Sequence, residues 1–383
     1  RNTYFAAIII FTMASLGCGL SQTLNQLILF RILQGVGGAL LLPVGRLAML
    51  KLIPRTQFLA AMSLMSLAGL IGPLIGPTLG GWLVEVATWH WVFLINIPMG
   101  ILGILVTFKA MPNATEPTVK AFDFSGFVLL VFAMVGLSLG IEHLASREYS
   151  KWFSIGLLST GFIAALIYAH HAHTHQNALF RSDLFKNKIY AIGVLGNFFA
   201  RFGGNAVPFI LPLMLQVAFG FEPFYTGLLM IPLVLGSLFS KPIIRPIIQK
   251  FGYRHVLLTN TILVGACIAS FALMTAETPI WLRAIHFFIF GTLNSIQFVS
   301  MNTLTLKDLS QHDASSGNSF LSMIMMLSMS IGVALAGTLI NFFTQYFGTQ
   351  HLTTAFHASL ICLGCINIIT ALVFSRIPPN TSV

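Results

Sequence analysis

Apolar segments long enough to cross a lipid bilayer recur along the whole sequence and constrain its fold more than any other feature. A helix needs about 20 apolar residues to span the hydrocarbon core. Such segments lie at residues 4–21, 27–50, 58–84, 91–108, 122–142, 152–170, 188–216, 224–243, 255–275, 281–304, 316–343 and 356–375. None of them alternates as a half-buried strand does. The sequence therefore predicts an all-α polytopic membrane protein with twelve spans.

The composition excludes a soluble domain carried on a single anchor. Hydrophobic residues make up 56% of the chain and charged residues only 8%, against roughly 25% charged residues in soluble proteins. The formal net charge of +10 does not indicate a nucleic-acid partner, because Lys and Arg are scattered over short loops rather than clustered on one face. We therefore expect contact with membrane lipid and none with nucleic acid.

The distribution of Lys and Arg over the predicted loops gives an orientation. If the Arg1 end is cytoplasmic, fifteen basic residues fall on that side and four on the other, while Arg201 lies within a span. Cytoplasmic loops are enriched in Lys and Arg. We therefore expect both ends of the chain to be cytoplasmic.

Two pairs of arginines indicate an internal repeat. Arg1 precedes the first span and Arg31 enters the second, and Arg254 and Arg283 take the same places at the ninth and tenth spans. Repeated halves are typical of transporters, whose halves rock around a central site. The repeat also predicts two further helices before Arg1, or fourteen in all. The predicted parts are an N-terminal bundle at 1–109, an inserted helix pair at 110–187 and a C-terminal six-helix bundle at 188–383.

The third span carries glycines and prolines that would weaken a soluble helix. Gly72, Gly76 and Gly80 recur every four residues and form a strip along which another helix can approach closely. Pro73 and Pro77 each remove a backbone hydrogen bond and favour a bend. The pattern indicates either a hinge or seal, or simple close packing of two helices.

Two stretches resemble motifs of the major facilitator superfamily. The resemblance to motif B is carried by Leu27-x-x-x-Arg31-x-x-Gln34-Gly35-x-Gly37-Gly38-Ala39, and that to the antiporter motif, motif C, by Gly72-x-x-x-Gly76-Pro77-x-x-Gly80-Gly81. Ser63 stands where motif C often has a further glycine. Together with Trp-x-Trp-x-Phe-x-Ile-Asn-x-Pro at 89–98, the chain resembles fourteen-helix drug:proton antiporters of the EmrB/QacA type. One branch of that type is most similar at 35–39, 43–47, 300–309 and 314–319.

The resemblance implies the major facilitator fold, in which two pseudo-symmetric helical bundles surround a central cavity, with an inserted helix pair. It implies proton-coupled efflux of drugs or small molecules across a bacterial inner membrane by alternating access, driven by the proton gradient without a cofactor. Motif C would seal one end of the cavity against the helix at 224–243. Motif B, with Arg31, Gln34 and Gly35, would couple protons or orient its helix, although Arg31 alone is equally typical of an interfacial arginine. In that family an acidic residue of the first helix carries much of the proton coupling.

Polar residues within the later spans form a candidate substrate cavity. Asn197, Arg201 and Asn205 are four residues apart and share one helix face. A charge near the middle of the bilayer must face a water-filled cavity or a partner. Since guanidinium matches carboxylates, Arg201 is a candidate contact for an anionic substrate, or else a structural arginine held by carbonyls. Asn294 and Gln297 form a second patch, which would line the cavity or join two helices.

Other functions find less support in the sequence. No Gly-rich stretch ends in Gly-Lys-Ser/Thr, so ATP is not expected as the energy source, and no paired nucleophile and base indicates an enzyme. The histidines at 170–175 have no Cys or acidic residue beside them, so we expect no metal site. An exporter of small anionic metabolites or metal chelates such as citrate complexes is one alternative, and a non-transporting membrane sensor is another. The sequence leaves open whether the protein works alone or with a periplasmic adaptor or other efflux partner.

Overall fold

The computed structural model describes residues 1–54, 86–111, 122–146, 150–175, 177–310 and 313–378, and scattered positions between 57 and 83. Helices joined by short connections make up these parts, which confirms the all-α prediction. Ten described helices are long and apolar enough to cross a membrane, and one of them, 224–273, covers two predicted spans. The predicted third span, 58–84, lies largely outside the described residues.

One compact unit comprises Arg1–Ala61 and Ile75–Lys120. Thr23 begins its second helix, because its side chain accepts a hydrogen bond from Gln26 N, as N-cap residues do. The first two helices cross closely at Gly37, where a Cβ atom would lie 2.6 Å from the backbone nitrogen of Phe11. The helices described in this unit are α1 (Asn2–Gly19), α2 (Leu24–Leu52), α3 (Trp91–Leu94) and α4 (Asn96–Ala110).

The other unit comprises Met62–Leu74 and Ala121–Val383. Its first two described helices form the predicted inserted pair, and they pack together at Gly136 and Gly161, whose missing side chains allow backbone contact. The first of the pair also packs against the helix at Ala314–Phe347. The helices are α5 (Phe124–Ser146), α6 (Lys151–Thr174), α7 (Lys188–Leu213), α8 (Pro223–Ser270), α9 (Ile280–Lys307), α10 (Ala314–Phe347) and α11 (Leu352–Phe374). The three-part division expected from the repeat stays a prediction.

Helix α8 corrects one expectation. The sequence predicts a loop at 244–254 between two spans, but the chain stays helical there except at Gly252, which has φ 73° and ψ 160°. A residue without a Cβ adopts this conformation without steric strain. The two predicted spans are therefore joined by a sharp break at one glycine, and each helix continues beyond its apolar segment.

Small residues set the distance between α8 and α9. Gly236 lies against the backbone oxygen of Phe288, and Gly291 lies against that of Leu233. Ser237 Oγ donates to Gly291 O at 2.9 Å. Lipid is as apolar as the helix surfaces, so close contact and hydrogen bonds hold membrane helices together. This contact is therefore intolerant of added volume.

We expect Gly291→Ala to lower the melting temperature of the detergent-solubilised protein, because the new methyl group would overlap the Leu233 carbonyl. Overpacking of this kind costs about 1–3 kcal/mol. The matched control is Gly337→Ala on α10, where no described atom lies within 4 Å of the added Cβ. Circular dichroism during heating measures both variants, and equal midpoints would contradict the proposed contact.

Candidate substrate site

Arg201 lies in the middle of α7, and its side chain is buried, with 6% of the residue exposed. Its Nε and Nη2 atoms both donate to Asn197 Oδ1 at 3.1 Å. Nη2 also donates to Asn302 Oδ1 at 3.4 Å, and the guanidinium carbon lies 4.5 Å from the centre of the Phe298 ring. Two amide oxygens and the face of an aromatic ring therefore hold the guanidinium, because both attract a cation.

Asn197 is the residue that fixes the position of Arg201. Its Nδ2 donates to Gly193 O at 3.0 Å and to Thr305 Oγ1 at 3.2 Å. A carbonyl oxygen only accepts hydrogen bonds, so the amide nitrogen must face Gly193. The amide oxygen is then left to accept from the guanidinium. Asn197 therefore connects Arg201 to α9 through Thr305.

A small open pocket adjoins the guanidinium. It contains four of the five residues predicted for the cavity, whereas Asn197 lies behind Arg201 and is fully buried. The lining residues are Ala200, Arg201, Gly204, Asn205, Asn294, Gln297, Phe298 and Met301. A Cβ at Gly204 would lie 2.8 Å from Asn294 Oδ1, so this glycine makes room for the amide. Phe298 and Met301 were not predicted, because apolar residues in an apolar span give no signal.

Gln297 both lines the pocket and joins two helices. Asn260 Nδ2, on α8, donates to Gln297 Oε1 at 2.8 Å. Gln297 Nε2 donates to Thr261 Oγ1 at 2.6 Å. Gln297 was expected either to line a cavity or to join two helices. It lines the pocket, and its hydrogen bonds join α9 to α8.

The motif B residues connect α2 to α1. Arg31 Nη1 donates to Gln34 Oε1 at 2.7 Å, and Gln34 Nε2 donates to Ser15 Oγ, also at 2.7 Å. Gln34 is buried, whereas Arg31 is exposed with its guanidinium carbon 5.6 Å from the Phe93 ring centre. Gly35 is exposed. Arg31 therefore orients the buried amide, and its coupling role stays a prediction.

The second arginine of the predicted repeat has similar surroundings. Arg283 lies 4.7 Å from the Phe221 ring centre and donates to the carbonyls of Thr275 and Ala276. Three residues later, His286 Nε2 lies 2.8 Å from Ser270 Oγ on the preceding helix. In both copies, the residue three positions after the arginine contacts a serine of the preceding helix.

Motif C is only partly described. Gly72, Gly76 and Gly80 are helical, and no described atom lies within 4 Å of a Cβ built on any of them. Pro77 and Gly81 lie outside the described residues. The role of this strip as a seal stays a prediction.

The fold brings an acidic residue to the histidines of α6, which sequence neighbours alone did not indicate. Asp123, directly before α5, lies 2.9 Å from His171 Nε2 through its Oδ2. Burial would raise the pKa of the Asp123 carboxyl, but hydrogen bonds from Gly126 N, His171, Ser125 and Leu179 N hold it below its usual value. We expected no metal site because no acidic residue stands beside the histidines in the sequence. In the fold Asp123 lies beside His171, so that reason is wrong.

Comparisons with known proteins agree with this architecture. The model of the family described as Major Facilitator Superfamily matches residues 1–333 and 193–383. The chain is 48% identical to the multidrug resistance protein MdtD of Salmonella dublin and 47% to that of Salmonella typhimurium, covering 100% of this chain and 82% of each relative. MdtD is the branch to which the segments at 35–39 and 300–309 are similar.

Solved structures show the same fold. The proton:xylose symporter XylE superposes with a TM-score of 0.63 at 16% identity, over 99% of this chain and 80% of its own. The human organic anion transporter MFSD10 superposes with a TM-score of 0.60 at 12% identity, over 97% and 76%. At these identities the likeness concerns the fold alone.

We expect Asn197→Ala to lower the melting temperature, because the buried guanidinium of Arg201 loses the oxygen that accepts two of its N–H groups. An unsatisfied buried polar group costs about 1–3 kcal/mol, and a charged one more. Asn205→Ala, half-buried at the same pocket, is the control with a smaller expected effect. Equal melting temperatures in the two variants would show that Asn197 does not hold Arg201.

Proposed function

This chain belongs to the major facilitator superfamily, and we propose that it exports small molecules across a bacterial inner membrane in exchange for protons, by alternating access. It is a multi-pass membrane protein of a transporter family, not an enzyme. The resemblance of motifs B and C to drug:proton antiporters supports exchange with protons. Both ends of the chain would be cytoplasmic, as the basic loops predict.

The observation that carries this proposal is the guanidinium of Arg201 at a pocket inside an apolar helical unit. Placing a charge within membrane helices is expensive, and such charges mark substrate or ion pathways. Asn197 and Phe298 hold the guanidinium from behind and from one face, while Asn205 and Asn294 add hydrogen-bonding groups to the opening. We assign this pocket to the substrate.

Two classes of substrate are candidates for this pocket. The description of the relatives as multidrug resistance proteins supports drugs and other small organic molecules. The guanidinium favours a second class, small anionic metabolites or metal chelates such as citrate complexes, because its N–H groups pair with carboxylates in a bidentate manner. The amides of Asn205 and Asn294 suit either class, since amides both donate and accept hydrogen bonds.

We expect Arg201→Ala in the full-length chain to abolish transport while surface expression persists, because the substrate loses its charged contact. Purified protein in proteoliposomes with an imposed pH gradient would be tested with dyes, citrate and citrate–metal complexes. Arg201→Lys, which keeps the charge without the planar fork, should retain part of the flux of anionic substrates.

Normal transport by Arg201→Ala would remove this residue from the substrate site. Wild-type flux that does not respond to the pH gradient for any candidate would contradict exchange with protons. The two outcomes are separate, since the first concerns the pocket and the second the energy source.

We expect Gly76→Leu to make the transporter leak or stall without unfolding it, because a bulky side chain would disturb a seal formed by motif C. The matched control is Gly156→Leu on α6, another helical glycine around which no described atom lies within 4 Å of an added Cβ. Gradient-driven flux and passive leak are measured in the same proteoliposomes. Unaltered transport by Gly76→Leu would leave this glycine with a packing role.

A further inference from the structure

Three potential metal ligands converge at one end of the helix pair α5–α6. They are the carboxylate of Asp123 and the imidazoles of His171 and His175, whose ligand atoms all lie within 4.8 Å of one another. We propose that these three side chains bind one divalent transition-metal ion of the Zn²⁺ class. This proposal does not depend on the proposed transport function.

The distances already approach those of a coordination sphere. His171 Nε2 lies 2.9 Å from Asp123 Oδ2, and two ligands of a tetrahedral Zn²⁺ ion with bonds of about 2.0–2.1 Å are roughly 3.3 Å apart. His175 is the C-cap residue of α6, four positions after His171, and their ring centres are 4.8 Å from each other. Two histidines four positions apart can bind a common ion.

Hydrogen bonds hold the Asp123 carboxylate in place. Oδ1 accepts from Ser125 Oγ at 3.0 Å and from Gly126 N at 2.8 Å, and His171 Nε2 faces both oxygens, at 3.0 Å from Oδ1 and 2.9 Å from Oδ2. Oδ2 accepts from Leu179 N at 3.3 Å and directs its other lone pair toward His171. A metal ion there would replace the contact with His171, while the remaining hydrogen bonds hold the ligand in place.

A purely structural pair of Asp123 and His171 would explain two of the three residues. It would not explain His175, which is exposed yet lies stacked on the His171 ring at an interplanar angle of 21°. Two imidazoles with one carboxylate suit Zn²⁺ or Co²⁺ rather than the oxygen-preferring Mg²⁺ and Ca²⁺. Three protein ligands would leave a fourth position for water.

The site is also connected to α10. Leu179, which donates its N–H to Asp123, accepts a hydrogen bond from Ser316 Oγ through its carbonyl oxygen at 2.5 Å. Ser316 lies in the first turn of α10. A bound ion would therefore stabilise the connection between the helix pair and this helix.

The test uses the full-length protein, purified with a tag that contains no histidine and treated with a chelator. Zn²⁺ binding is measured by isothermal titration calorimetry, and Co²⁺ binding by its visible absorption. We expect one ion per chain and about tenfold or weaker binding in His175→Ala. His173→Ala, from the same histidine run but outside the cluster, is the matched control and should bind as the wild type does.

Asp123→Asn provides a second variant, because Asn also serves at helix N-termini while it removes the negative charge. It should fold, as its melting temperature would show, and lose Zn²⁺ affinity by about tenfold or more. Equal affinities of His175→Ala and His173→Ala would overturn the proposal, since binding would then belong to the histidine run as a whole. Absence of Zn²⁺ binding by the wild type at micromolar concentrations would also overturn it.

Discussion

The requirement that polar groups inside a bilayer find partners within the protein governs this structure. Water is absent from the hydrocarbon core, so an unpaired group there costs several kcal/mol. Asn197 meets this requirement between α7 and α9, and Gln297 meets it between α9 and α8. Gln34 does the same between α2 and α1. Each of these amides connects neighbouring helices, because its two ends need different partners.

The same requirement accounts for the similar surroundings of Arg31 and Arg283, the two arginines that indicated an internal repeat. Arg31 and Arg283 each lie over a phenylalanine ring, and each precedes by three residues a side chain that contacts a serine on the previous helix. Two arginines at similar spacing are weak evidence for a repeat by themselves. A shared arrangement of the arginine, the ring, the following side chain and the serine is stronger, because it involves residues from both helices of each hairpin.

The spans could be predicted because their lengths are set by the bilayer and not by the details of packing. The loop expected at 244–254 was wrong because hydropathy detects lipid contact, whereas a helix can continue into water until a residue such as Gly252 breaks it. Arg201, Asn205, Asn294 and Gln297 could be recognised as polar residues in apolar spans. The neighbourhood of Asp123 could not, because 48 positions separate it from His171.

The pocket combines buried residues that join helices with half-buried residues at its opening. Gln297 is buried and hydrogen-bonded to α8, so a change there would disturb helix contacts along with the pocket. Asn205, Asn294 and Phe298 are half-buried at its opening. Substitution there changes shape and hydrogen-bonding capacity while the bonds of the buried residues persist. Differences in substrate preference between related transporters should therefore concentrate at these three positions, and the buried amides and the arginine should change less.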